Sequence, residues 1–252
     1  MTIRVNPQTA ASFDLNPQQA RALVERLLAS PPAATPKQDK RSTVTRHDLD
    51  GRSWIVKRYH LPAIKRWLYS IVRRTPAWQE WAGAKALQSI GVRSSPPLAL
   101  AGHLVLVLAF HEGRSLHDWM RETTDREKRL NVAERVGRQI GRITAAGWVN
   151  RDHKPTNLIV DAACKAGEVE PILIDPAGMR RRTPDKTLRM LAVMYRATPR
   201  ARGISIREGL TALRAAIRAD PSLATITAAA LARAVLAQVN ARPLSYDPAD
   251  WV

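Results

Sequence analysis

One short segment of the chain carries three side chains that phosphoryl transfer needs. It reads Asn-Arg-Asp-His-Lys-Pro-Thr-Asn over residues 150–157 and directly precedes an apolar run that predicts a strand. Transfer of a phosphoryl group to a hydroxyl requires a carboxylate near the attacking oxygen, a cation near the transferred group and an oxygen ligand for Mg²⁺. Asp152, Lys154 and Asn157 supply these types, although the same residue types are also common in polar turns.

Three further residues could join this segment in one site. Lys57 is centred in a predicted strand, Glu80 stands on a predicted helix, and Asp175 follows a short apolar strand. A carboxylate at a strand end can hold a metal ion that bridges nucleotide phosphates. Each residue alone is an ordinary surface or turn residue, but their order on these elements predicts a shared site.

The first half of the chain has the pattern of a small sheet with two helices. Residues 42–57 predict a hairpin, because strand-forming stretches flank a turn that contains Gly51. Helices are predicted over residues 62–74, which combine apolar and basic side chains, and over residues 76–89. The nearly continuous apolar character of residues 98–110 is typical of buried strands.

The second half is predicted to be mainly helical. Residues 125–146 place apolar side chains at helical spacing, and the chain beyond Asp175 predicts further helices. The predicted fold class is α+β, with a small β-rich N-lobe and an α-helical C-lobe. The predicted divisions are an N-terminal helix and linker at residues 1–41, an N-lobe at 42–113 and a C-lobe at 114–252.

Composition excludes several broad classes of protein. With 252 residues, of which 45% are hydrophobic, the chain can build a sizeable core, so wholesale disorder is excluded. The single cysteine, Cys164, cannot form an internal disulfide, which fits a reducing compartment. No apolar stretch has the length of a signal peptide or of a spanning helix, so we expect a cytoplasmic protein.

The charge balance indicates an anionic partner without identifying it. The 40 Lys and Arg residues exceed the 22 Asp and Glu residues, which gives a formal net charge of +18. Solvated basic surface, nucleic acid, an anionic lipid or sugar surface and a nucleotide all remain open. The basic residues 65–74 predict peripheral contact with an anionic membrane face, and Arg180, Arg181 and Arg182 predict contact with acceptor phosphates or carboxylates. No zinc-ligand spacing is present, so specific nucleic-acid binding is not expected.

The order and context of these residues resemble the protein-kinase-like superfamily. Residues 150–157 resemble the catalytic-loop pattern H-R-D-L-K-P-x-N in all but the first and fourth positions. Within the superfamily, the chain is most similar to the bacterial lipopolysaccharide core kinases, which phosphorylate heptose or octulosonic acid. The hairpin that ends at residues 54–59, the helix with Trp-Gln-Glu-Trp at residues 78–81 and the small C-terminal half carry this likeness. It covers about residues 42–182.

The resemblance implies how a nucleotide would be held. Lys57 would contact the α- and β-phosphates of ATP, and Glu80 would pair with Lys57. The main chain of residues 109–113 would meet the adenine. ATP and Mg²⁺ are therefore the implied cofactors.

The resemblance also implies roles in the transfer step. Asp152 would accept or orient the proton of the acceptor hydroxyl, and Lys154 would steady the γ-phosphate. Asn157 and Asp175 would bind Mg²⁺. The implied function is phosphorylation of a sugar or glycolipid hydroxyl by a cytoplasmic kinase that lies peripherally on the inner membrane.

Several departures from the superfamily pattern leave two alternatives open. Gly51 is the only glycine between Lys37 and Lys57, so no glycine-rich phosphate loop is present and residues 40–43 would have to serve instead. Asn150 replaces the histidine of the pattern, and no aromatic follows Asp175. The missing glycine-rich loop and Asn150 favour a pseudokinase that acts as a binding or scaffold protein, and the missing aromatic argues against regulated switching at Asp175. A Ser/Thr protein kinase-like enzyme is the other alternative, although no A-P-E-like element follows the arginines.

Overall fold

A six-stranded antiparallel sheet forms the N-terminal half of the protein. The computed structural model describes residues 1–62, 69, 75–161, 170–197 and 205–241. The sheet order is β1-β5-β6-β4-β3-β2. The strands are β1 (Ile3–Val5), β2 (Ala34–Gln38), β3 (Ser42–Leu49), β4 (Arg52–Tyr59), β5 (Pro97–Ala101) and β6 (Val105–Ala109).

The first 41 residues contain more regular structure than the sequence predicts. Two helices, α1 (Pro7–Ser12) and α2 (Pro17–Ala29), precede β2, and β1 pairs with β5 at one edge of the sheet. Asn16 caps α2 by accepting hydrogen bonds from the next turn, as its sequence predicts. The strands were missed because β1 has only three residues, which is too short for its apolar alternation to stand out, and β2 is exposed along its whole length.

The helix that carries Glu80 has the predicted bounds. It is α3 (Pro76–Ser89), and the Thr75 hydroxyl caps its start by accepting a hydrogen bond from the main chain of Trp78. Gly91 follows with a φ of +68°, which ends the helix. The predicted helix of residues 62–74, with the basic residues 65–74, lies outside the described residues apart from residues 62 and 69.

The second half is helical, with two small sheets that hold the polar loops. A three-stranded sheet has the order β10-β9-β7, and β11 pairs with β8. The strands are β7 (Gly113–Ser115), β8 (Trp148–Asn150), β9 (Leu158–Asp161), β10 (Ile172–Leu173) and β11 (Met179–Arg181). The helices are α4 (Leu116–Glu122), α5 (Arg126–Ala145), α6 (Pro184–Ala197), α7 (Ile206–Ala219) and α8 (Ala228–Ala241).

This arrangement confirms the predicted β-rich first half and helical second half. The main core lies between the helices of the second half and continues to the inner side of α3. A buried pair between Arg129 and Glu208, with a 2.7 Å Nε to Oε1 distance, ties α5 to α7. No helix in the described ranges has the length and apolar character needed to cross a membrane.

Candidate active site

Lys57 lies in the middle of the sheet, on the face that α3 covers. β4 pairs on both sides, through Lys57 with Val44 of β3 and with Leu106 of β6. Strand alternation turns Val56 to the opposite face, where it packs under α2. α3 places the buried Glu80 beside the lysine, and the distance from Lys57 Nζ to Glu80 Oε2 is 2.8 Å.

Two further side chains complete a charged cluster around this pair. Lys57 Nζ lies 3.2 Å from Asp175 Oδ1, and the Tyr59 hydroxyl donates a hydrogen bond to Glu80 Oε2. The structure therefore brings together three residues predicted from the sequence and one that was missed. Tyr59 follows Lys57 by two positions, so strand alternation places it on the same face and could have revealed it.

Burial and the neighbouring charges shift the pKa values of Lys57, Glu80 and Tyr59. Burial acts to lower the pKa of Lys57, but attraction to Glu80 and Asp175 outweighs it and holds that pKa well above its usual value. Burial raises the pKa of Glu80, and the positive charge of Lys57 opposes that rise. Burial and the nearby Glu80 carboxylate also raise the pKa of Tyr59. At neutral pH, Lys57 is therefore a cation and Tyr59 is a neutral hydrogen-bond donor.

Asparagine side chains brace the loop of Asp152 on both sides. Asn150 Oδ1 accepts a hydrogen bond of 3.1 Å from the Asp152 main chain, and Asn157 Nδ2 donates one of 2.9 Å to the Asp152 carbonyl. Asn150 is fully buried, whereas Asp152 is exposed. The asparagine that stands where the kinase pattern has histidine thus supports the loop, and Asp152 itself is exposed.

The turn after Asp175 lies tightly against the loop of Asp152. A Cβ atom on Gly178 would lie 2.4 Å from Asn150 Oδ1 and 2.8 Å from Asp152 Oδ2, so a side chain at this position would clash. Asp175 itself has left-handed backbone angles, with φ 54° and ψ 58°. Such angles are uncommon for residues other than glycine and are found preferentially at functional sites.

Asn157 and Asp175 fit the ligand types that Mg²⁺ prefers. Because Asn157 uses its Nδ2 for the Asp152 carbonyl, its Oδ1 is left without a hydrogen bond among the described residues. The amide of Ile174 donates to the Asn157 carbonyl at 2.9 Å, which ties Asn157 to the residue before Asp175. The described ranges contain no group of three or more His, Cys, Asp or Glu side chains able to hold a metal ion. Any Mg²⁺ here would therefore need further oxygen ligands from phosphate and water.

The segment predicted to meet adenine has free main-chain groups. Residues 110–112 connect β6 to β7, and the Phe110 amide donates to the Ser53 carbonyl at 3.2 Å. In the described part of the chain, no backbone hydrogen bond uses the main-chain groups of His111 or Glu112. These groups are positioned in the connection between the two lobes and can pair with the edge of a base.

The turn between β2 and β3 stands where the glycine-rich loop would be in the superfamily pattern. Asp39 Oδ1 accepts hydrogen bonds of 2.7 Å from the amides of Arg41 and Ser42. Partial burial opposes ionisation of Asp39, but these bonds and the nearby Lys37 lower its pKa to about 2. The two amides are therefore occupied by a carboxylate of the protein itself and are not available to a phosphate.

The arginine triplet after Asp175 is used inside the protein. Arg180 donates hydrogen bonds to the Ala177 and Met179 carbonyls and to the Gln79 side chain. The Arg181 guanidinium lies over the Trp148 ring, 4.3 Å from its centroid, and Arg182 pairs with Asp220 at 2.9 Å. The prediction that all three meet acceptor anions is therefore not supported, because each guanidinium already has a partner within the chain.

His153 is a second residue that the sequence analysis did not single out. It is fully buried beside the exposed Asp152, and neither ring nitrogen has a hydrogen-bond partner within the described part of the chain. Burial lowers the pKa of His153 to about 4, so the ring is neutral at physiological pH. His153 stands where the kinase loop pattern has leucine, and its buried ring holds the loop against the protein interior.

Comparisons with known proteins agree with this geometry. The model of the lipopolysaccharide kinase (Kdo/WaaP) family matches residues 33–205. The chain is also similar to a solved structure of WaaP in complex with acyl carrier protein, with 19% identity, a TM-score of 0.65 and coverage of 96% of this chain and 99% of that chain. A search of curated proteins found no match. The structural similarity confirms the two-lobed kinase-like fold predicted from the sequence.

We expect His153 to make stability depend on pH. An unfolded histidine has a pKa near 6.5, so the unfolded state binds more protons than the folded state between pH 6.5 and 4. The free energy of unfolding should therefore fall by about 3 kcal/mol as the pH falls through this window. His153→Leu should remove that part of the dependence, as measured by urea unfolding from pH 4 to 8.

The control for this experiment is His103→Leu, because His103 is exposed. Its pH dependence should match that of the unmodified protein. A His153→Leu variant with the same pH dependence as the unmodified protein would contradict the buried, neutral state of His153.

Proposed function

The chain belongs to the lipopolysaccharide kinase (Kdo/WaaP) family, and we propose that it transfers the γ-phosphoryl group of ATP, with Mg²⁺, to a hydroxyl of a lipopolysaccharide-core sugar. Members of this family are kinases that phosphorylate sugar hydroxyls, so the predicted resemblance and enzyme class are confirmed. One observation carries the finer proposal. Lys57 contacts Glu80 at 2.8 Å and Asp175 at 3.2 Å, and a lysine paired with a helix glutamate beside a metal-site aspartate supports binding of nucleotide phosphates.

The nucleotide would lie between the sheet and the loop of Asp152. Glu80 and Tyr59 hold Lys57 in place, so its ammonium group can contact the α- and β-phosphates without being reoriented. The main chain of residues 110–112 would pair with adenine. Because Asp39 occupies the amides of the β2–β3 turn, Lys57 is the main phosphate contact that we assign in the N-lobe.

The transfer step would use the residues of the exposed loop. The Asp152 carboxylate would accept the proton as the acceptor oxygen attacks the γ-phosphorus and the bond to the β-phosphate oxygen breaks. Lys154 would steady the γ-phosphate. Asn157 and Asp175 would hold Mg²⁺, which when bound neutralises charge on the phosphate oxygens.

Arg151 is the cation that we assign to the anionic acceptor. Its main chain is fixed by a 3.1 Å hydrogen bond to the Gly178 carbonyl, and its exposed side chain has no partner within the described residues. Burial and the nearby charge of Arg151 both lower the pKa of Arg180. Because Arg180 is already bonded within the protein, the exposed Arg151 guanidinium beside Asp152 would be the cation that binds a carboxylate or phosphate of the acceptor.

The location we propose is the cytoplasmic side of the inner membrane, where a kinase can reach both ATP and a glycolipid precursor. The strongly basic composition supports contact with anionic lipid. The predicted contact through residues 65–74 falls on residues that lie outside the described part of the chain.

A second partner is suggested by an apolar pocket in the helical lobe. The pocket has a volume of about 210 Å³ and lies between α4, α5, α6, α7 and α8. Its walls are almost entirely apolar, and the charged Arg129 and Glu208 on its wall are paired with each other. Because the similar WaaP structure contains acyl carrier protein, we propose that this pocket receives the acyl chain of such a carrier.

We expect Asp152→Asn to lower kcat by about 10² to 10⁴-fold, which is the usual contribution of a general base. Binding of ATP with Mg²⁺, measured by thermal shift, should remain, because Asp152 does not contact the nucleotide in the proposed arrangement. The assay is transfer of labelled γ-phosphate from ATP to inner-core lipopolysaccharide from which the core phosphates have been removed.

The matched control is Asp185→Asn, which removes an exposed carboxylate from α6 and should leave kcat unchanged. A generic protein and an aminoglycoside serve as alternative acceptors. Labelling of the protein alone would support the Ser/Thr protein kinase alternative. ATP binding without transfer to any acceptor would support the pseudokinase alternative.

We expect Arg151→Gln to raise KM for the lipopolysaccharide acceptor by about tenfold, because a charge-assisted hydrogen bond contributes roughly 1.5–3 kcal/mol. The KM for ATP should not change. Arg233→Gln, which removes an exposed arginine from α8, should alter neither constant. An unchanged acceptor KM in Arg151→Gln would rule out this assignment.

We expect Ala133→Trp to block the apolar pocket, because Ala133 lies on its wall. Purified acyl carrier protein with a C16 chain should raise the Tm of the unmodified protein, and the carrier without a chain should not. The increase should disappear in Ala133→Trp and persist in Ala229→Trp, which changes an exposed position of α8. Equal effects of both carrier forms would refute acyl binding in this pocket.

A further inference from the structure

The helix of Glu80 touches the turn of Asp175 through its backbone. Gly83 lies on the same side of α3 as Glu80, three residues later, and faces Pro176. A Cβ atom on Gly83 would lie 2.1 Å from the Pro176 carbonyl oxygen and 3.1 Å from Met179 Cγ. This approach is therefore possible only for glycine, because real Cβ contacts essentially never fall below 3.0 Å.

A hydrogen bond joins the same two elements on the other side of Glu80. Arg180 Nη2 donates to Gln79 Oε1 at 2.9 Å. The other end of the guanidinium is anchored, because Nη1 donates to the carbonyls of Ala177 and Met179 at 3.0 and 2.6 Å. Arg180 therefore links the residue before Glu80 to the main chain that follows Asp175.

The ion pairs of Lys57 form a third link between α3 and the Asp175 turn. Its ammonium group contacts Glu80 from the helix and Asp175 from the turn. α3 is thus held to the turn at three neighbouring points, by Gly83, by Gln79 and by the carboxylate of Glu80.

We propose that Gly83, Gln79 and Arg180 are positioning residues that keep α3 docked on the Asp175 turn before nucleotide binds. The inference rests on the proposed kinase function of the site. Protein-kinase-like folds can pack an aromatic residue after the metal-site aspartate against this helix, whereas this chain has Pro176 there. Direct contact between helix and turn replaces that aromatic, so Glu80 stays paired with Lys57 and the site is not switched by movement of α3.

The close approach of Gly83 to Pro176 indicates how strongly a larger side chain would displace α3 from the Asp175 turn. An alanine at position 83 would force the separation from the Pro176 oxygen to rise from 2.1 Å to at least 3.0 Å. The displacement must be taken up by α3 or by the turn, which carry Glu80 and Asp175. A misplacement of about 1 Å can cost about 10²-fold in rate.

The test measures docking separately from catalysis. Hydrogen exchange of the α3 amides is followed in the full chain, with and without Mg²⁺ and the non-hydrolysable ATP analogue adenylyl imidodiphosphate. In the unmodified protein, α3 should be protected without nucleotide and should change little when the analogue binds. Strong additional protection by the analogue would overturn the proposal, because it would show that nucleotide docks the helix.

Substitutions then test the named contacts. Gly83→Ala should speed exchange of α3 in the nucleotide-free protein and lower kcat by about 10²-fold, although alanine favours a helix more than glycine. Ala82→Val changes the neighbouring exposed position and should leave exchange and kcat unchanged. Normal exchange and kcat in Gly83→Ala would overturn the role of this glycine.

Gln79→Leu and Arg180→Gln extend the test without adding bulk to the glycine contact. Each should speed exchange of α3 and lower kcat, and the double variant should show no loss beyond that of Arg180→Gln alone, because both changes remove the same hydrogen bond between Arg180 and Gln79. Additive losses would overturn their joint role. A complete absence of phosphoryl transfer in the unmodified protein would refute the proposed function, whereas the exchange of α3 would still report whether the helix is docked.

Discussion

The buried pair between Lys57 and Glu80 is the interaction on which the rest of the site depends. Removing two charges from water is costly, and the loss of one partner from a buried pair destabilises a protein by about 3–5 kcal/mol. Tyr59 and Asp175 reduce this cost by giving the pair further polar contacts. The central position of β4, the capped start of α3 and the close approach at Gly83 all keep the two charges together.

The basic composition has a different structural meaning from the one that the sequence indicates. Several arginines of the helical half are fixed in partly buried ion pairs, such as Arg129 with Glu208 and Arg182 with Asp220. These guanidinium groups connect segments that are distant in sequence, and each can satisfy several acceptors at once. Part of the excess of positive charge therefore stabilises the C-lobe through ion pairs. Arg151, beside Asp152, takes no part in these ion pairs.

The sequence predicts the features that depend on local spacing and residue type. The lobes, the bounds of α3 and the polar loop of residues 150–157 could be anticipated in this way, whereas the pairing of Lys57 with Glu80 was expected only from the family resemblance and the contact of Lys57 with Asp175 was not expected. The missed features arise from contacts between distant segments. Gly83 meets Pro176, Gly178 packs against Asn150, and the three-residue edge strand β1 pairs with the distant β5. The arginine triplet was misinterpreted for the same reason, since its partners lie elsewhere in the chain.

The turn at Asp39 also affects the selectivity of small-molecule inhibitors. Many ATP-site compounds gain contact area when a pliable glycine-rich loop folds over them. In this protein, the Asp39 carboxylate fixes the corresponding turn through the amides of Arg41 and Ser42. Under the proposed function, a compound that depends on such a lid would lose affinity here, whereas one that binds residues 110–112 and the Lys57 cluster would retain it. A selective inhibitor of the proposed site should therefore be built on these groups and not on contacts with the β2–β3 turn.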